Sequence, residues 1–144
     1  MAEQQDYGNH ARFVPMYHWV TFLMILAVVG WSLKQVVTAF SVASLMQLMT
    51  GLALFFTTFY ARAFAVGAQD RVIRVEERER MGRLLPDDLK ARLGELRLLQ
   101  FVELRFASDG ELADLVRRTL AGEFPKRNDI KKAVKNWRPD FERV

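Results

Sequence analysis

The sequence predicts an all-α chain built as a two-helix transmembrane hairpin, a cytoplasmic helical stalk and a small helical bundle. Two apolar runs, Met16 to Leu33 and Val42 to Tyr60, hold no Asp, Glu, Lys or Arg and lie close together. Charge is concentrated C-terminal to them. Only Arg12, Lys34, Glu3 and Asp6 precede residue 61, so the net charge of +4 belongs to residues 61–144. That half shows helical spacing of leucine and valine, proline and glycine punctuation, and no strand-like alternation. A length of 144 residues allows the hairpin and one small lobe.

Residues 1–15 are read as a cytoplasmic N-terminal segment and 16–60 as the hairpin, its helices at 16–33 and 42–60. A helix rises about 1.5 Å per residue, so roughly 20 residues span a ~30 Å hydrocarbon core. The first run meets this if its helix extends a further turn and Lys34 snorkels. Backbone groups in lipid must be satisfied within the segment, which makes a lone hairpin helical. A cleaved signal peptide fits poorly: Arg12 is the only basic residue before the run, and no short apolar core precedes a small-x-small cleavage pattern. Tyr17, Trp19, Trp31 and Tyr60 mark the interfaces. Arg12 on one side, and Arg62, Arg71 and Arg74 on the other, outweigh Lys34 in the turn, which places both termini in the cytoplasm. Ala27 and Gly30, with Ala43, Gln47 and Gly51, form small or polar rows that suit close helix packing, either within the hairpin or against other membrane subunits.

Residues 61–85 contain no proline and are expected to continue the second helix as a stalk, with Gly67 as the place for a bend. Asp70/Arg74, Glu76/Arg80 and Glu79/Arg83 are spaced as i,i+4 ion pairs, each worth a few tenths of a kcal/mol. Val72, Ile73 and Val75 leave a narrow apolar stripe that suits pairing. Arginines interleave Glu76, Glu77 and Glu79, so this cluster reads as a solvated, self-neutralising face and not as acid–base machinery.

Residues 86–144 form the lobe. Pro86 opens a helix with Asp87 and Asp88 in its first turn, and Leu89, Leu93 and Leu96 face inward. An apolar helix carries Leu98, Leu99, Phe101, Val102, Leu104 and Phe106. Ser108 and Glu111 make a capping box for a helix with Leu112, Leu115, Val116 and Leu120, which stops near Gly122 and Pro125. Asn128 or Asp129 caps a last helix that sets Ile130, Ala133, Val134 and Trp137 on one face before Pro139 ends it. Such short helices are not stable singly and must pack together.

Cysteine is absent, which excludes disulfides, thiolate metal sites and cysteine nucleophiles. No Gly-x-Ser-x-Gly and no P-loop occurs. No catalytic residues, metal ligands or obligate cofactors are therefore assigned. His18, near the cytoplasmic edge of the first helix, is the single candidate to ligate a haem or chlorophyll. His10 lies about 12 Å away along a helix, with Pro15 between, so one chain does not clamp one iron with both. The default for His18 is an interfacial hydrogen bond. From Lys126 to Val144, seven Lys or Arg face Asp129, Asp140 and Glu142. Lys131, Lys132, Lys135 and Arg138 accompany Ile130, Val134 and Trp137, and this basic amphipathic 126–144 helix suits anionic lipid headgroups. Its alternative is an apolar face closing the bundle beneath solvated lysines. The modest charge and missing motif argue against nucleic acid.

Four stretches together resemble a known family: Asn9-His-Ala-Arg-Phe-Val-Pro-Met-Tyr-His18, Gln69-Asp-Arg-Val-Ile-Arg-Val-Glu-Glu-Arg78, Leu104-Arg-Phe-Ala-Ser-Asp-Gly-Glu-Leu112 and Ile130-Lys-Lys-Ala-Val-Lys-Asn-Trp-Arg138. It is a bacterial family of small two-helix integral membrane proteins classed as a domain of unknown function. The resemblance implies a bacterial inner membrane and carries no activity and no functional residues. The expectation is thus a non-enzymatic scaffold or accessory subunit that packs against other membrane proteins in the lipid bilayer. An anionic-lipid module and a His18-ligated pigment subunit are the alternatives.

Overall fold

The computed structural model describes residues 5–9 and 13–140, and these are helical and irregular without a β-strand. After a π-helical turn at Met16–Thr21 come α1 (Phe22–Thr38), α2 (Val42–Leu84), α3 (Asp87–Lys90), a 3₁₀ turn at Leu93–Glu95, α4 (Leu98–Leu104), α5 (Asp109–Leu120) and α6 (Arg127–Ala133). The chain forms two compact units: the first is Arg12–Ala65, and the second comprises Met1–Ala11 together with Val66–Val144. The helix α2 runs through the boundary without interruption, Gly67 included.

The helical stretches Met16–Thr38, in the first unit, and Val42–Leu84, which begins there, are each long and apolar enough to cross a membrane, and only 11% of either apolar window is buried. The first helix runs on past Lys34 to Thr38, so the turn is Ala39 to Ser41 and not the wider Lys34 to Ser41 expected from composition. Ser41 and Ser44 tie that turn by mutual hydrogen bonds, among them Ser44 N–H to Ser41 Oγ at 3.0 Å. The two helices touch through Gly51, where a Cβ would stand 3.1 Å from Val29 Cγ2 and 3.3 Å from Val28 Cγ1. Tyr17 donates its hydroxyl to the Thr58 carbonyl at 2.6 Å. Ser32, fully buried, returns its hydroxyl to the Val28 carbonyl at 2.6 Å.

The second unit has one apolar core. Met81 and Leu85 at the end of α2 meet Leu89, Leu93 and Leu96, then Phe101 and Leu104 of α4, Leu112, Leu115 and Val116 of α5, and Ile130 and Val134. Each such side chain contributes about 1.5–3 kcal/mol when fully buried. Their spacing in sequence dictated this: leucines recur at helical intervals, and Gly122, at φ 78°, ends α5 in the left-handed conformation that glycine tolerates. Ser108 caps α5 as expected, its side chain facing the N3 backbone and Glu111 reaching back.

The C-terminal segment departs from the expected long helix. The helix α6 starts after Lys126, whose N–H is accepted by Asp129 at 3.2 Å; neither Asn128 nor Asp129 is the N-cap. It ends at Ala133, because Val134 turns to an extended conformation. Trp137 is therefore not on a helix. Residues 136–138 lie antiparallel beside 106–108, with Ser108 N–H to Asn136 O at 3.0 Å and Arg138 N–H to Phe106 O at 2.8 Å. Glu111 explains the choice. Its carboxylate accepts the backbone N–H of Lys135 at 3.1 Å and of Asn136 at 3.0 Å, so the two amides that further helix growth would have paired with Lys131 and Lys132 have a partner outside the helix. Trp137 then packs, tilted by 37°, against the fully buried Phe106, ring centroids 4.8 Å apart.

Candidate functional site

A charged cleft lies in the second unit. It encloses about 620 Å³ between α2, Arg105 and the strap Arg138–Asp140. Its floor is built from α2 residues that follow Ile73 at helical intervals: Glu77 and Arg80 are buried along with Ile73. Arg80 donates to Glu77 Oε2 at 2.9 Å, to the Ala107 carbonyl at 2.8 Å and, through Nε, to Asp109 Oδ1 at 3.0 Å. The other oxygen of Glu77 accepts from Arg138 Nη1 at 2.8 Å. Both carboxylate oxygens are thus held by guanidinium groups, the charge-assisted pairing that makes a carboxylate tolerable below the surface. Arg105, also buried, donates to Asp140 Oδ2 and to the Val102 carbonyl, both at 2.8 Å, and lies over the Phe106 ring at 4.2 Å. Gln5 closes the strap from the far end of the chain: Asp140 N–H meets Gln5 Oε1 at 2.7 Å.

The carboxylate cluster is therefore not uniformly solvated. Glu76 and Glu79 are exposed, but Glu77 is only 4% exposed and forms the centre of a lock. The anticipated i,i+4 ladder is correspondingly altered. Glu79–Arg83 forms at 3.7 Å, whereas Arg80 leaves Glu76 for Glu77 and Asp109. Among the described residues Asp70 and Arg74 form no ion pair. The sequence carried a signal for this: a Glu and an Arg sit at the i+4 and i+7 positions of Ile73, on the face that Met81 buries. Grouping Ile73 with Val72 and Val75 hid it, because Ile73 points into the lobe while Val72 and Val75 are exposed.

Chemically the cleft is a locked ion network. Four acids and four arginines line it, so it carries no net field of one sign. Arg80 holds the Asp109 carboxyl below the ordinary aspartate range, first by its hydrogen bond and then by its charge. A depressed carboxylate stabilises the fold above its unfolded pKa, and that contribution disappears as pH falls through the folded value. The stability lost in Asp109→Asn is accordingly expected to be constant near neutrality, to begin shrinking near the ordinary aspartate value of about 4 and to vanish only below the lower folded value, as read by amide exchange of α5 in the two proteins. A difference that persists undiminished in acid would sink this reading.

The other sequence candidates separate. Of the packing residues, Gly51 is buried at the α1 contact, while Ala27, Gly30, Ala43 and Gln47 are exposed, and a Cβ on Gly30 would meet nothing within 4 Å. Besides Gly51, the buried described residues of the first unit are Ile25, Ser32 and Ser44. His18 lies in the π-helical turn, its Nδ1 2.9 Å from the Val14 carbonyl and its ring stacked on Phe13 at 4.6 Å. His10 and Arg12 lie outside the described residues. Among the described residues no three His, Asp or Glu side chains converge as a metal site. The basic quartet is split, and the long amphipathic 126–144 helix is replaced by a seven-residue helix and an extended strap. Lys131 forms an ion pair with the buried Glu103 at 2.9 Å. Lys132 lies 4.0 Å from Asp129, Lys135 is exposed, and Arg138 is bound to Glu77.

Compared with known families, the sequence matches over residues 1–144 a family described as a family of unknown function, DUF6526. The chain belongs to the DUF6526 family. That match spans both units, so the apolar helices and the charged lobe are parts of one family architecture. No curated protein and no solved structure matches the chain.

Proposed function

We propose that this DUF6526 chain is a non-enzymatic scaffold or accessory subunit of a bacterial inner-membrane complex. In this reading α1 and the first half of α2 cross the bilayer as a hairpin, both termini are cytoplasmic, and the lobe is displayed on the cytoplasmic face. The observation that carries it is Gln47. Its carboxamide is exposed on an apolar helix and has no hydrogen-bond partner among the described residues. Its exposed neighbours include the apolar Leu45, Met46, Met49 and Leu52, and the one hydroxyl beside it, on Thr50, is turned back to the Met46 carbonyl. An amide facing lipid is costly, and an interhelical hydrogen bond recovers about 0.6–2 kcal/mol. Ala43 on the same helix and Ala27 and Gly30 on α1 are exposed small residues, which allow another subunit's helix to come close. The lobe's locked cleft supports display over catalysis, since its central carboxylate and its deepest arginines are already committed to each other.

The chain has no cysteine, so single cysteines report topology cleanly. A cysteine at Phe40 is expected to react with an impermeant maleimide from outside intact cells, and one at Glu123 only after lysis. Gentle solubilisation is expected to recover the wild type with other membrane proteins, and Gln47→Leu to release them. Recovery of the wild type as a monodisperse monomer alone would end the subunit reading.

A further inference from the structure

Along the cytoplasmic part of α2, Ile73, Glu77, Arg80 and Met81 are buried against the lobe, while Ala68, Val72, Val75, Glu79 and Gly82 are exposed. At about 100° per residue the two sets centre on opposite sides of the helix. The apolar stripe is thus turned away from the core of the lobe, with Val72 55% and Val75 68% exposed. Its spacing of four then three, Ala68 to Val72 to Val75, is that of a coiled-coil seam. By sequence count alone, sevens taken back from Ala68 pass Ala61 and Leu54 to Gln47.

We propose that this stripe is the seam of a parallel homodimer, its occupant the same stripe of a second copy. The inference rests on the membrane reading above, because two copies inserted in the same sense can pair their stalks only in parallel. Charge selects the same arrangement. In a parallel seam with Val72 and Val75 at the core positions, Arg71 of one copy flanks Glu76 of the other, and the two-fold axis repeats the pair. An antiparallel seam sets Arg against Arg and Glu against Glu at those flanks. Both residues are exposed and form no ion pair within the chain among the described residues. Glu79 and Arg83, paired with each other at 3.7 Å, close the stripe at its lobe end. A seam this short is weak between free molecules; confinement of both copies in one bilayer raises their effective concentration and makes it sufficient.

The test uses the full chain in native membranes, with single cysteines and a short bis-maleimide. Ala68→Cys and Val75→Cys are expected to give a cross-linked species of twice the monomer mass, and Arg74→Cys, exposed but well off the seam, at least about five-fold less. Arg71→Glu and Glu76→Arg are each expected to lower the Val75→Cys yield several-fold, and the two together to restore it, which a folding defect would not do. Absence of the dimer while the protein still fractionates with membranes overturns the seam alone. If Ala68→Cys and Gly82→Cys chains, co-expressed, link to each other in preference to their own kind, the pair is antiparallel, and both the seam and the shared membrane orientation are overturned. A dimer recovered without any other protein would uphold the seam and overturn the larger complex.

Discussion

Arg80→Ala is expected to lower the stability of the lobe by about 3–5 kcal/mol, the cost of leaving a buried charge without its partner. One guanidinium touches Glu77, Asp109 and the Ala107 carbonyl, so its removal strips three acceptors at once. Glu77, 4% exposed, would then rely on the half-exposed Arg138. A small domain has about 5–15 kcal/mol in total, so the loss brings the lobe close to unfolding. Arg83→Ala is the control. Its side chain is 72% exposed and its pair with Glu79 is worth about 0–1 kcal/mol. Amide exchange of α5 in the full chain checks both. Equal effects at the two arginines would mean that burial is not what makes Arg80 matter.

Phe101→Ala is expected to cost about 3–5 kcal/mol as well, for a different reason. Phe101 is 1% exposed among Leu104, Leu112 and Leu115, and helices as short as four to seven residues pack in the same core. Elements that short cannot close around a cavity by moving as rigid bodies without losing their own caps. Leu99→Ala, two residues away and 38% exposed, is expected to change stability by less than about 1 kcal/mol. Thermal melting of the full chain in detergent, followed on the lobe, separates them, and a Phe101 effect no larger than that of Leu99 would refute the assigned core.

Much of this was legible in the chain before any fold was known. The two charge-free runs, the leucines that became the core, the Ser108–Glu111 box and the stop at Gly122 are local signals, and each depends on a few neighbouring residues. The residues that matter most to the cleft were hidden, because an exposed and a buried Glu–Arg pair look the same in a sequence. Glu76 and Glu77 differ by one step around a helix, about 100°, which takes one to solvent and the other under Arg80 and Arg138. The strap was hidden for a related reason. Lys135 and Asn136 read as helical continuation until Glu111, 24 residues before Lys135, offers their amides a carboxylate.

The sequence by itself determined the helical class, the apolar segments and the lobe's core, since periodicity and composition act over single turns of chain. The tertiary structure decided which side of α2 faces the lobe, which charges are buried and where the last helix ends. Those outcomes depend on partners 24 to 61 residues apart, such as Glu111 with Lys135 and Glu77 with Arg138. Only folding brings such partners within hydrogen-bonding distance.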